Sequence, residues 1–254
     1  NQATAAMGAS AGGGQPLSLL LDNGPWVSRL TLHDIARTAG VDGDLSHIGT
    51  RAHVKGRARN DLFNTNATIV ATLAAACVQH RPEAMICLMA NPVSATTAIT
   101  TEVFQKHGVD NPKKTWVTTL DVVRTGFVAE LKRTAEVDPL DQLTALTRIQ
   151  EAGTEEDQAK VGAGSATLSM DAGTRFVLPI VDAEGKEGVI ERSFVKSQET
   201  DCTYFSTPLV LGRNGLEKNL GISKVSFKEK MIADAIPGLK VSINKGEEFV
   251  KNMK

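Results

Sequence analysis

Gly8 and Gly14 stand six residues apart in GASAGGG, with Ala11 at the midpoint, and the apolar stretch QPLSLLLDN follows at once. Glycines in front of a helix can form nothing more than a tight strand-to-helix turn. They can equally let backbone approach a pyrophosphate, while the first helical turn offers N–H groups that have no partner inside the helix. Two further features favour the second chemistry. The spacing of Gly8 and Gly14 is that of the outer glycines of a dinucleotide fingerprint, and Asp34 lies 20 positions beyond Gly14, at the end of the alternating stretch SRLTLHDI. A carboxylate there can accept from both ribose hydroxyls and would repel a 2′-phosphate, which points to NAD rather than NADP. Ala11 takes the place of the middle glycine, and its Cβ fits only if φ is negative.

Other candidates leave their alternatives open. Asp121 and Arg124 are three residues apart, so on a helix they share a face. They form either a routine ion pair or an acid and an anion binder aimed at one pocket. Arg59, in RARND, reads as a loop charge, and Asn91 before Pro92 could simply close a strand. None of His33, His47, His53, His80 and His107 sits in a glycine-flanked strand-end loop of the kind that exposes a catalytic imidazole, and no metal-ligand spacing is visible. Cys77, Cys87 and Cys202 are too scattered for a disulfide framework and read as buried thiols in a reducing compartment.

The elements that must carry these residues alternate between helix and strand. Pro16 falls just inside a helix start and Gly24 just past its end. A strand over 28–35, a helix over 61–80, a strand over 84–93, a helix ending at Gly108, and a short strand leading into a helix with Asp121 and Arg124 follow. Such alternation predicts a parallel sheet with helical crossovers. Beyond Asp141 the character is mixed, with helices over 141–152 and 162–170, strands in GVIERSFV and FSTPLVLG, and a last helix over 226–236. The fold class expected is α/β: an N-terminal Rossmann-type parallel sheet over 1–125 that binds NAD, then a mixed α/β substrate domain over 126–254. With 254 residues, 41% of them hydrophobic, a sizeable core is available. The net charge of −1 with interspersed signs argues against a nucleic-acid partner, and no run approaches the roughly 18 apolar residues of a membrane span. Small molecules and protein subunits are the partners expected.

Taken together, GASAGGGQPLSLLL, LTLHDIARTAGVDGDLSHI, DLFNTNATIVATLAAAC, NPV, VTTLDVVR, GAGSATLSM and KSQETDCTYFSTPLVLG resemble the mitochondrial-type branch of the lactate/malate dehydrogenase family. The resemblance runs from about residue 7 to the C-terminus. It implies an NAD-dependent oxidoreductase that interconverts malate and oxaloacetate as a homodimer in the mitochondrial matrix, with no targeting segment in sight. Carried over by motif, Gly8, Ala9, Ser10, Ala11, Gly12, Gly13 and Gly14 line the pyrophosphate and Asp34 holds the adenosine ribose. Asn66, Met89, Ala90, Asn91 and Met170 contact the cofactor, and Asn91 also reaches the substrate. Arg124 matches the arginine that grips the substrate carboxylate, a task suited to a planar bidentate guanidinium. Arg59 matches the loop arginine that polarises the reacting carbonyl, Asp121 matches the aspartate that orients a catalytic histidine, and His47 falls on a helix at the subunit interface.

The sequence departs from that pattern at two places. The glycine-flanked histidine loop belongs between AELK (129–132) and DQLTAL (141–146), where only RTAEVDPL stands. A strand and the first loop arginine, which reads the distal carboxylate, belong between Gly56 and Arg57. Three readings follow: a malate dehydrogenase whose histidine belongs to a segment absent from this sequence, a catalytically inactive NAD-binding homologue, and a lactate-type dehydrogenase of related 2-hydroxy acids.

Overall fold

The computed structural model describes residues 2–7, 14–22, 27–33, 63–90, 92–109, 115–117, 173–174, 176–178, 180–181, 189–212, 215–222 and 226–253, and structural statements concern these. By contact the chain forms two compact units, 1–56 with 119–182 and 57–118 with 183–254.

In the first unit, strand β1 (Gln2–Met7) leads to helix α1 (Gly14–Asp22) and on to strand β2 (Val27–His33). The two strands are parallel, from Gln2↔Val27 to Met7↔His33. Pro16 is the third residue of α1, within the first turn, where its missing N–H removes no helical bond. Leu17 and Leu21, four apart, are buried on one face together with Ser18.

The second unit begins with helix α2 (Phe63–His80). Its buried residues Phe63, Ala67, Val70, Ala71, Ala74 and Val78 recur at helical spacing as one stripe. Strand β3 (Ile86–Leu88) and helix α3 (Val93–Lys106) follow, then strands β4 (Thr115–Val117), β5 (Val189–Lys196), β6 (Tyr204–Gly212) and β7 (Gly215–Asn219), and last helix α4 (Ser226–Lys251). These strands form one mixed sheet in that order. β3 and β4 are parallel, β4 meets β5 antiparallel at Val117↔Phe194, and β5, β6 and β7 are antiparallel neighbours.

Helix α3 is the centre of this unit. Nine of its residues are buried, from Ala95 to Phe104, because α2 and α4 flank it and strands β4 and β5 pack against it. Burial on nearly every side strands the hydroxyls of its threonines unless each finds an acceptor. Two return to carbonyls of the preceding turn, Thr97 to Val93 at 2.8 Å and Thr100 to Thr96 at 3.0 Å, and the Thr96 hydroxyl has carbonyl acceptors around it. The helix ends in a Schellman motif. Gly108 sits at φ 74, its N–H reaches the Gln105 carbonyl at 2.9 Å, and the Val109 N–H reaches Phe104 at 3.0 Å.

Helix α4 lays Ile243, Gly246 and Val250 toward the core. At Gly246 the backbones nearly touch, and an added Cβ would stand 2.3 Å from the Ala95 carbonyl oxygen of α3. Lys245 lies 4.2 Å above the Phe63 ring and Phe249 meets the same ring edge-on at 5.9 Å, so one ring of α2 is held by two residues one turn apart on α4. On the other side of α3, Ala98 joins Phe194, Cys202, Tyr204 and Ile243 in a second cluster.

Most expected elements occur where expected, with three differences. The strand over 84–93 is only Ile86–Leu88, because its sole described partner, β4, offers three residues for pairing. The last helix does not stop at residue 236 but runs through Pro237 to Lys251, held by the packing of its second half on α3. β7 was not anticipated, although the Asn214-Gly215 sequence at its start is a hairpin signal. The expected helices over 141–152 and 162–170 and the one carrying Asp121 and Arg124 lie outside the described residues.

One buried group in the sheet is unsatisfied. Thr207, 1% exposed at the middle of β6, has a hydroxyl without a hydrogen-bond partner among the described residues. An unmade hydrogen bond in such a place costs about 1–3 kcal/mol. Thr207→Val keeps the shape and removes the hydroxyl, and is expected to raise stability by about 1 kcal/mol in urea denaturation; a destabilised variant would show that the hydroxyl has a partner.

Candidate functional site

The first candidate turn joins β1 to α1. Met7 and His33 are paired at the carboxyl ends of adjacent parallel strands, which lie about 4.8 Å apart. Six residues, Gly8–Gly13, separate Met7 from Gly14, the first residue of α1, and Asp34 is the residue after His33. The connection thus leaves one strand end and enters a helix N-terminus, and Asp34 follows the neighbouring strand end in the sequence. That is the order a dinucleotide needs, with the pyrophosphate at unpartnered N–H groups and the ribose beside an acceptor. α1 carries no acidic residue in its first turn, so no side chain there opposes an anion. The described residues therefore fit NAD.

The second candidate turn joins β3 to α3. Met89 and Ala90 follow the strand directly and are half-buried. Ala90 packs against the cluster that contains Phe63 and Ala67, and Asn66, half-buried, lies between those two in the first turn of α2. The core therefore draws the amino end of α2 and the residues after β3 onto one set of contacts. Of the site residues expected from the sequence, Gly14, Asn66, Met89 and Ala90 are described. Gly8, Ala9, Ser10, Ala11, Gly12, Gly13, Asp34, Arg59, Asn91, Asp121, Arg124 and Met170 lie outside the described residues, as do His47 and His53.

The His107 ring nitrogen lies 2.8 Å from the Val103 carbonyl at the end of α3, and His80 is exposed as the last residue of α2. None of Cys77, Cys87 and Cys202 forms a disulfide, and of the three only Cys202 is buried as expected, Cys77 and Cys87 being half-buried. Burial raises the Cys77 thiol above its ordinary value and pushes that of Cys87 up to about 12. Neither is a nucleophile at neutral pH. No group of three or more metal-binding side chains occurs among the described residues, and no described helix is long and apolar enough to cross a membrane.

The Cys87 shift has a thermodynamic consequence. Below about pH 9 the folded and unfolded thiols are both protonated and contribute no difference. Between about 9 and about 12 the unfolded chain loses this proton while the folded chain keeps it, so stability falls by up to about 1.4 kcal/mol per pH unit. Cys87→Ala should show a shallower alkaline decline than the parent in denaturation at pH 8 to 10.5. Parallel declines would refute the shift.

A parallel strand pair with its crossover helix in the first unit, and a strand-to-helix turn beside the amino end of α2 in the second, define an α/β protein. The chain belongs to the lactate/malate dehydrogenase family: that family's NAD binding domain matches residues 49–116 and its alpha/beta C-terminal domain matches residues 128–250. The mitochondrial malate dehydrogenases of Macaca fascicularis and Homo sapiens are each 59% identical to it, over 100% of this chain and 93% of theirs. Those alignments run for 315 positions against the 254 residues of this chain, so the relatives carry positions inside the matched span that this chain lacks. Among solved structures, the malate dehydrogenase from Salinibacter ruber superposes with a TM-score of 0.79 at 14% identity, covering 100% of both chains. That from Aeropyrum pernix gives 0.76 at 14% identity, covering 96% of this chain and 98% of its own. These two establish the α/β fold.

Proposed function

We propose that the chain is an NAD-dependent malate dehydrogenase, with residues 1–125 binding the cofactor and 126–254 completing the substrate site. The observation that carries this reading is 59% identity to mitochondrial malate dehydrogenases sustained over the whole chain. When bound, NAD supplies the acceptor for the hydride that leaves the CH–OH carbon of malate. The residues from Gly8 to Gly14 would hold the pyrophosphate and Asp34 the adenosine ribose. Asn66, Met89, Ala90, Asn91 and Met170 would line the cofactor, and Asn91 would also orient the substrate. Arg124 would clamp the carboxylate beside the reacting carbon through two parallel N–H···O bonds. Arg59 would stabilise negative charge growing on the carbonyl oxygen of oxaloacetate. Asp121 would orient the base that exchanges the hydroxyl proton.

A second reading is favoured by one observation: no histidine stands between Lys132 and Asp141, so the 254-residue chain has no imidazole at the place where the family carries its base. On that reading the protein binds NAD(H) without turnover. Consumption of NADH with oxaloacetate and with pyruvate, alongside a fluorescence titration of NADH binding, separates the readings. Rapid consumption with oxaloacetate supports the dehydrogenase, preference for pyruvate replaces it with a lactate-type enzyme, and NADH binding without consumption leaves the inactive homologue.

The relatives' mitochondrial names support a place in the mitochondrial matrix, and the family resemblance implies a homodimer. His47 would lie at the dimer interface.

A further inference from the structure

The hydroxyl of Thr96, wholly buried in the first turn of α3, is surrounded by three carbonyl oxygens: Ala90 at 3.2 Å, Pro92 at 3.1 Å and Val93 at 3.1 Å. A hydroxyl has one proton to donate, so the three compete for it. Two of them have other donors. The Pro92 carbonyl takes the Thr96 amide at 3.0 Å, and the Val93 carbonyl takes the Thr97 hydroxyl at 2.8 Å. The Thr96 proton is therefore best used at Ala90. The entry to α3 also lacks the usual support, because Pro92 is the N-cap residue, at φ −73 and ψ 128, and provides no side-chain cap. Thr96 reaches out of the helix from inside and ties down the residues on both sides of position 91.

We propose that Thr96 is a positioning residue for the nucleotide site: its hydroxyl fixes the Ala90 carbonyl and so sets the path of the chain from β3 into α3. This rests on the reading that gives Met89, Ala90 and Asn91 to the cofactor. Ala90 has no side chain beyond a methyl group, so its contribution to binding is where its backbone lies. A donor buried behind it decides that.

The test compares Thr96→Ser, which keeps the hydroxyl, with Thr96→Val, which keeps the shape, and Thr96→Ala, which drops the hydroxyl without placing a new methyl among carbonyls. The readouts are the NADH dissociation constant by fluorescence titration and the melting temperature. Val and Ala are expected to weaken NADH binding about fivefold, while Ser stays within about twofold of the parent, whatever the order of their melting temperatures. Equal NADH affinity in all four forms, or a Ser variant as impaired as Val, would overturn the proposal. A parent that binds NADH but consumes neither oxaloacetate nor pyruvate removes the proposed reaction and leaves the role of Thr96 to the same titration. A parent that binds no NADH overturns both.

Discussion

Gly246→Ala is expected to lower stability by about 3 kcal/mol, whereas the same substitution at Gly238, eight residues earlier in the same helix, is expected to raise it by about 0.5–1 kcal/mol. In a helix interior alanine is ordinarily the better residue, because glycine loses more backbone freedom on folding. That gain is available at Gly238, where an added Cβ meets nothing within 4 Å. At Gly246 the Cβ would fall 2.3 Å from the carbonyl oxygen of Ala95 and 3.0 Å from its carbonyl carbon, and both are backbone atoms that cannot swing aside. Relief requires α4 to move off α3. That would loosen the contacts of Ile243 and Val250, which are 2% and 3% exposed, and the hold of Lys245 and Phe249 on Phe63. Urea denaturation of the two variants beside the parent checks this, and a Gly246→Ala protein as stable as Gly238→Ala would contradict the close approach.

Arg124→Ala is expected to cut kcat/KM for oxaloacetate by at least about 100-fold while leaving NADH affinity within about twofold. Removing one partner of a hydrogen-bonded charge pair costs about 2–5 kcal/mol, much of it the penalty of leaving the other charge unpaired, and 1.4 kcal/mol is tenfold. Arg124→Lys is expected to recover little, because an ammonium cannot make two parallel bonds to a carboxylate. The split between substrate and cofactor is the informative part. A solvated ion pair with Asp121, the alternative left by their spacing of three, would contribute at most about 1 kcal/mol to stability and nothing to the substrate. Binding of a non-reducible dicarboxylate to the NADH complex gives the same comparison without turnover, so it also applies to a catalytically inactive protein. Unchanged dicarboxylate affinity in Arg124→Ala would remove this residue from the substrate site.

The sequence by itself determined a good deal. The apolar stripe of α2 is written in the positions of Phe63, Ala67, Val70, Ala71, Ala74 and Val78, because a period near 3.6 leaves one face to bury. The end of α3 is written in Gly108, because the conformation at φ 74 suits glycine. The strand-turn-helix order around Gly14 is legible too: α1 begins at Gly14, and β1 and β2 pair in parallel up to Met7 and His33. These signals are local, so a single chain segment carries each of them whole.

What only the tertiary structure decided depends on contacts between distant segments. Pro237 and Gly238 read as the end of a helix, yet α4 continues to Lys251, since the packing of its second half on α3 outweighs the hydrogen bond the proline gives up. Gly246 reads as a weak point within that helix, and only the position of Ala95, about 150 residues away in the chain, makes its missing side chain a requirement. Thr96 reads as one of several threonines in a helix. Its place beneath the Ala90 carbonyl depends on how the chain leaves β3 and enters α3, a path that residue spacing does not specify because it is settled by which groups remain to be hydrogen-bonded once the helix is buried.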